Sequence, residues 1–139
     1  MAKPNIELGV PLMAVDHARL EGLFERVADT ADAGLAGLRR EIEAETRAHF
    51  QREEELMRSS QVPIYFCHVA QHNMILAEFA RALQAEAAGD WPTLRRTLGV
   101  VLAGLIEAHV DSVDRVTASF LKGEIDAEAV AGLRLPVDN

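Results

Sequence analysis

The 139-residue chain carries five histidines, at positions 17, 49, 68, 72 and 109, and their neighbours decide what they can do. Glu53 follows His49 by four residues, and His72 follows His68 by four. A step of four places two side chains on one helix face, one turn apart. His17 stands between Met13 and Leu20 at steps of four and three, and His109 between Leu105 and Val113 at steps of four. His49 lies seven residues after Ile42, and His72 leads into Ile75. These are the steps of an amphipathic helix, so all five histidines and Glu53 are expected on apolar, inward faces. A lone histidine there is most often a hydrogen-bonded core residue. Six such groups together are harder to accommodate. A buried carboxylate without a counter-charge costs several kcal/mol, and each unsatisfied imidazole adds about 1–3 kcal/mol. A domain has only about 5–15 kcal/mol of stability to lose. Such a core folds when a cation supplies positive charge and takes up the lone pairs.

Ligands gathered in this way need helices to carry them. Prolines stand at 4, 11, 63, 92 and 136, leaving long stretches without one. These stretches are rich in strong helix formers. The segment from Pro11 to Val62 has to break, and Thr30-Ala31-Asp32-Ala33-Gly34 is the natural place, with Asp32 as the expected N-cap. A second turn falls at Ser59-Ser60-Gln61-Val62-Pro63. At Gly89-Asp90-Trp91-Pro92 a glycine beyond one helix meets an aspartate cap and a first-turn proline. The pattern predicts helices over roughly 12–30, 33–58, 63–88 and 91–121, then a tail over 122–139 in which Asp126 is placed to cap one short extra helix.

Connections this short make consecutive helices antiparallel neighbours. The expected fold class is all-α: a single domain over 1–139, folded as an antiparallel up-down-up-down four-helix bundle with a short C-terminal tail or helix. The expected apolar stripes are Met13, Leu20, Phe24 and Val27; Leu35, Leu38, Ile42 and Leu56; Ile75, Phe79 and Leu83; and Leu94, Leu98, Leu102, Leu105, Val113, Val116 and Phe120. Counted at about 1.5 Å per residue, His17 and His68 fall at one level from one end. His49 and His109, counted from the other end, fall within about 3 Å of each other. The four helices therefore bring the histidines to a common depth.

Composition narrows the function. With 14 Lys and Arg against 22 Asp and Glu, the net charge of −8 disfavours nucleic acid or an anionic membrane as partner. The longest apolar stretch, Gly99 to Ile106, is far short of the roughly 20 residues that span a bilayer, and MAKPNIELG has no apolar signal core. The one cysteine, Cys67, excludes an internal disulfide and a cysteine-based zinc site and suits a reducing compartment. A cytoplasmic location is expected.

Five imidazoles and a carboxylate exceed the four ligands of a tetrahedral zinc. Two adjacent octahedral ions fit better, and a nitrogen-rich, carboxylate-bridged pair suits iron more than magnesium or calcium. A ferritin-like di-iron site needs Glu-x-x-His pairs. No glutamate stands three residues before any histidine here, and His-Glu-x-x-His is also missing.

On these residues the chain resembles the hemerythrin family. That family's ligand pattern is a lone His, then His-x-x-x-Glu, His-x-x-x-His and His-x-x-x-x-Asp. The matching positions are His17, His49 with Glu53 in HFQREEELM, His68 with His72, and His109 with Asp114 in HVDSVD, and the likeness runs from Val10 to about Phe120. The resemblance implies two iron ions with a bridging oxo or hydroxo group. His68, His72 and His109 would hold one iron, His17 and His49 the other, and Glu53 and Asp114 would bridge them. Asp114 rests on the family spacing, because five residues carry it about 140° round an ideal helix; a locally widened turn would bring it back. Asp111 is expected to be solvated, as are Glu54 and Glu55.

Some positions depart from the family's habit. Ala14 stands three before His17, where an acidic residue is usual, and Asp16 adjoins His17 instead. Leu105-Ile106 replaces a Trp-Leu pair and is expected to line an apolar oxygen pocket. Cys67 is expected to be a small buried residue and Tyr65 a half-exposed structural one. The implied function is reversible binding of dioxygen, as carrier, store or sensor, without catalysis, at a site also open to azide or nitric oxide. The alternatives are a di-iron catalyst scavenging peroxide or nitric oxide, and a structural metal bundle with no open position.

Overall fold

The structure, a computed structural model, describes residues 11–124, 126 and 128. Four helices follow one another: Pro11–Glu25, Asp32–Ser59, Tyr65–Ala87, and a fourth over 91–121. Consecutive helices pack on one another, and no strand occurs among the described residues. The all-α four-helix expectation is met. The short helix after Asp126 falls almost wholly outside the described residues.

The ends show why the chain turns where it does. The first helix stops at Glu25 rather than near 30, and the backbone tightens: Arg26 N donates to Leu23 O and Val27 N to Phe24 O. Arg95 Nη1 then donates to Val27 O at 2.6 Å, so a side chain from the fourth helix satisfies a carbonyl that a further turn would have used. Asp32 is not the N-cap of the second helix. Ala31 holds that place with an extended backbone and no side-chain bond. Asp32 is the first helical residue, where its charge suits the helix dipole and pairs with Arg95 Nη2 at 2.9 Å. Asp90 does cap the fourth helix, accepting from Thr93 N at 3.2 Å with Pro92 in the first turn.

The second, third and fourth helices all end the same way. Val62 N donates to Met57 O, Asp90 N to Ala85 O and Glu124 N to Ser119 O, each a bond from beyond the helix back to its last turn. The residue preceding each of those donors takes a positive φ: Gly89 at 66°, Gly123 at 75°, and Gln61 at 55°. A left-handed glutamine is strained where the two glycines are not.

The apolar core falls into two clusters. The larger includes Met13, Phe24, Leu35, Ile42, Phe50, Phe79 and Leu98, and the smaller is Met57, Val62 and Ile64 with Tyr65, Val116 and Phe120 against it. Two expected core positions are corrected. Met57, one turn after Glu53, is fully buried where Leu56 is only half-buried, and Ala82 is buried rather than Leu83, which is exposed. On the second, third and fourth helices the polar residues of interest lie between the two clusters.

Candidate metal centre

Each helix contributes at the same depth: His17 from the first, His49 and Glu53 from the second, His68 and His72 from the third, His109 and Asp114 from the fourth. All seven are buried, none more than 2% exposed. Their donor atoms form two groups, each lying within 4.8 Å of one another: Glu53, His68, His72, His109 and Asp114, and His17, His49, Glu53 and Asp114. The two carboxylates belong to both groups.

Asp114 reaches this layer through a local change of helix. Residues Val110–Asp114 form a π-helical turn, which takes more residues per turn than an α-helix. Five residues from His109 then overshoot one turn by much less than on an α-helix, and Asp114 Oδ1 lies 2.8 Å from His109 Nε2. Asp111, not widened inward, stays exposed and pairs with Arg115. A second π segment, Thr97–Leu102, lies nearer the start of the same helix. There a Cβ on Gly99 would meet Val27 Cγ1 at 3.2 Å, so the glycine lets the fourth helix close on the end of the first.

In the larger group the Nε2 atoms of His72 and His68 lie 3.2 and 3.1 Å from that of His109. Their Nδ1 atoms point outward to fixed acceptors: His68 to Thr117 Oγ1 at 2.8 Å, His72 to Glu54 Oε2 at 2.8 Å, and His109 to Gln71 Oε1. An Nδ1 proton committed in this way lets Nε2 present a lone pair to a cation. Neighbouring donors about 3 Å apart also match the edge of an octahedron built on metal–nitrogen bonds of about 2.1 Å. In the smaller group His17 Nε2 lies 2.9 Å from Asp114 Oδ2, and His49 Nε2 lies 3.5 Å from Glu53 Oε2. His49 Nδ1 donates to Asp16 Oδ2 at 2.9 Å.

Each carboxylate divides its oxygens between the groups. Glu53 Oε1 faces His68 and His72 at 2.6 and 2.9 Å, while Oε2 faces His49. Asp114 Oδ1 faces His68 and His109, both at 2.8 Å, while Oδ2 faces His17. Glu53 Oε2 has no hydrogen-bond partner among the described residues although it is fully buried. An orphaned anionic oxygen between imidazoles fits a cation on that side.

The electrostatics are those of a site that attracts positive charge. Burial raises the Glu53 carboxyl and Asp114 adds to that, yet His68 and His109 bring it below the usual carboxylate range. Burial likewise works against Asp114, and His109, His17 and His68 hold it well below its ordinary value. His68 feels burial downward, but the Glu53 charge and the Asp114 hydrogen bond push it up to about 10. His72 is lowered, chiefly by burial. Outside the layer, burial of Asp16 is outweighed by His49 and Arg52, which hold it at about 2.

The supporting residues were not read from the sequence. Glu54, expected in solvent, is half-buried and holds His72. Asp16 does not serve its neighbour His17; it serves His49 and takes a two-pronged ion pair from Arg52. The common signal is position: Glu54 follows Glu53 and Asp16 precedes His17, and each flank turns toward a histidine of the adjacent helix. Phe50 stacks on His72 at 3.8 Å and 5°, and walls the layer off with rings tilted to His49 and His109. Ile106 is buried in the same apolar cluster as Phe50, and Leu105 packs half-buried against it. Cys67 is half-buried and in neither donor group, while Tyr65 pairs with Arg58 and packs on the smaller cluster.

Comparison with known proteins agrees with this geometry. No solved structure matches the chain. The bacteriohemerythrin of Ralstonia nicotianae is 29% identical over 116 residues, which cover 84% of each chain. The model of the hemerythrin HHE cation binding domain matches residues 8–121, a span that contains the whole polar layer and all four helices, and the chain therefore belongs to the hemerythrin family.

Proposed function

We propose that the chain is a non-haem di-iron protein that binds dioxygen reversibly. The observation that carries this reading is the division of both carboxylates, one oxygen of each toward His68, His72 and His109 and the other toward His17 and His49. A carboxylate so placed bridges two cations, and a single ion leaves half of the donors unused. His68, His72 and His109 would hold one iron, His17 and His49 the other, with Glu53, Asp114 and a solvent-derived oxo or hydroxo group between them.

Bound there, a ferrous pair supplies the two electrons that reversible dioxygen binding draws on and recovers. The chain's own residues do the rest. Two carboxylates and one hydroxide leave two ferrous ions with a single positive charge, which a closed interior tolerates. Thr117, Glu54, Gln71 and Asp16 fix four imidazoles in orientation and tautomer. Phe50, Ile106 and Leu105 supply apolar cover, which keeps out the water and anions that would end reversibility. Among the described residues the groups beside the layer, Arg52 on Asp16 and Glu54 on His72, are each committed to a partner, and no further acid or base joins the two donor groups, which favours binding over turnover.

Among the described residues no helix is long and apolar enough to cross a membrane. We take the protein to work in the cytoplasm, a reducing compartment that suits a lone cysteine. The test is dioxygen binding by the ferrous protein: a visible band that appears in air and disappears under vacuum supports the reading. Irreversible consumption of dioxygen or peroxide would transfer it to a scavenger.

A further inference from the structure

Four of the five buried histidines hand their Nδ1 proton to a fixed acceptor, and one does not. His17 Nδ1 is buried with no hydrogen-bond partner among the described residues. Side chains on a helix lean toward its N-terminus, so the residues of the first helix that can reach back-to-front to the His17 ring are those three and four before it. Those are Met13, apolar and fully buried, and Ala14, which has nothing to offer. Among the described residues the ring's only hydrogen bond joins Nε2 to Asp114 Oδ2 at 2.9 Å. Without an anchor at Nδ1, a neutral His17 is drawn to the tautomer that carries its proton on Nε2 and donates it to Asp114. In that tautomer Nε2 has no lone pair for a cation.

We propose that the two metal positions fill unequally, with the His17/His49 position the weaker by at least about ten-fold, and that Ala14 sets the weakness by leaving His17 without an acceptor. The size follows from the 10–100-fold that an outer acceptor typically contributes to metal affinity. The inference rests on the two-cation reading above. It makes His17 the detachable ligand: the second iron is the one lost first to a chelator and regained last.

The test is an anaerobic titration of the metal-stripped full chain with Fe²⁺ against a competing chelator, with circular dichroism to confirm folding. The unmodified protein is expected to take one ion tightly and a second at least about ten-fold more weakly. Ala14→Asp, or the uncharged Ala14→Asn, supplies an acceptor one turn before His17 and is expected to tighten the second event by about ten-fold or more while the first stays put. His17→Ala is expected to abolish the second event alone. Two ions taken up with a single affinity by the unmodified chain would overturn the proposal, as would folded Ala14→Asp and Ala14→Asn proteins whose second event has not moved. One ion in every variant would instead remove the two-cation reading, and this inference with it.

Discussion

The same four helices carry two regions held together by different forces. From Phe24 and Val27 across Leu35, Leu38, Phe79 and Ala82 to Leu94 and Leu98, the core is apolar and buried, and its stability follows from area removed from water. The layer of five histidines with Glu53 and Asp114 is as deeply buried but gains nothing from that burial. Its groups lose hydration, and the Asp114 charge works with burial to favour protonation of Glu53. The first region specifies a bundle whatever is bound. The second is stable to the extent that a cation completes it, which makes its stability a measure of its function.

The difference predicts how the two respond to damage. Glu53→Ala should act most strongly: it removes a carboxylate proposed to bridge the two ions, so the loaded protein should lose most of its metal and about 3–5 kcal/mol of stability. Glu55→Ala, on the exposed face of the same helix, should match the unmodified protein. Iron content and thermal melts of both variants make the comparison. Phe79→Ala removes a buried ring from the apolar region and should also cost about 3–5 kcal/mol. Here, however, the loss should be the same before and after chelation and iron content should hold, so denaturant melts of both forms separate the two kinds of core.

Glu54→Ala comes next, because it removes only the acceptor of His72. Metal affinity should fall about 10–100-fold with little change in the stripped protein's melt, read by chelator competition. An affinity equal to that of Glu55→Ala would mean that the Glu54 contact is incidental.

A pH effect sharpens the contrast. In the stripped protein His68 is pushed up to about 10 from an ordinary 6.5. A raised histidine stabilises the fold fully below its unfolded value, and that contribution is lost as pH climbs through the folded one. The stripped protein should therefore lose stability steadily between about pH 6.5 and 10, while the loaded protein, in which a cation replaces that proton, should stay flat. Melting temperatures over this range test the point. The smallest expected effect is Gln61→Gly, which relieves a left-handed backbone in the turn after the second helix. It should stabilise by about 1 kcal/mol and leave metal uptake unchanged.

The sequence made the helices and most of the layer legible for a simple reason: steps of three, four and seven survive as faces on any straight helix. His17, His49, Glu53, His68, His72 and His109 lie where that periodicity puts them. Asp114 does not obey it, since a π turn is a property of the packed helix rather than of any residue type in Val110–Asp114; only the family spacing pointed to it. The ends were legible where a residue type forces the backbone, as at Gly89 and Asp90. They were misjudged where tertiary contacts decide, as at Val27, whose carbonyl is taken by Arg95. The outer acceptors Glu54 and Asp16 were obscured because a flank position looks like solvent until the neighbouring helix is in place.

The central claim is that two bridged iron ions sit in this layer and bind dioxygen reversibly. It is tested most directly by one visible spectrum of the ferrous protein with a known iron content, recorded before and after air and again under vacuum. The account predicts about two irons per chain, no strong visible band at first, a charge-transfer band in air, and its loss when dioxygen is withdrawn. A reproducible single ion per chain, or two irons whose spectrum does not respond to dioxygen, would contradict it.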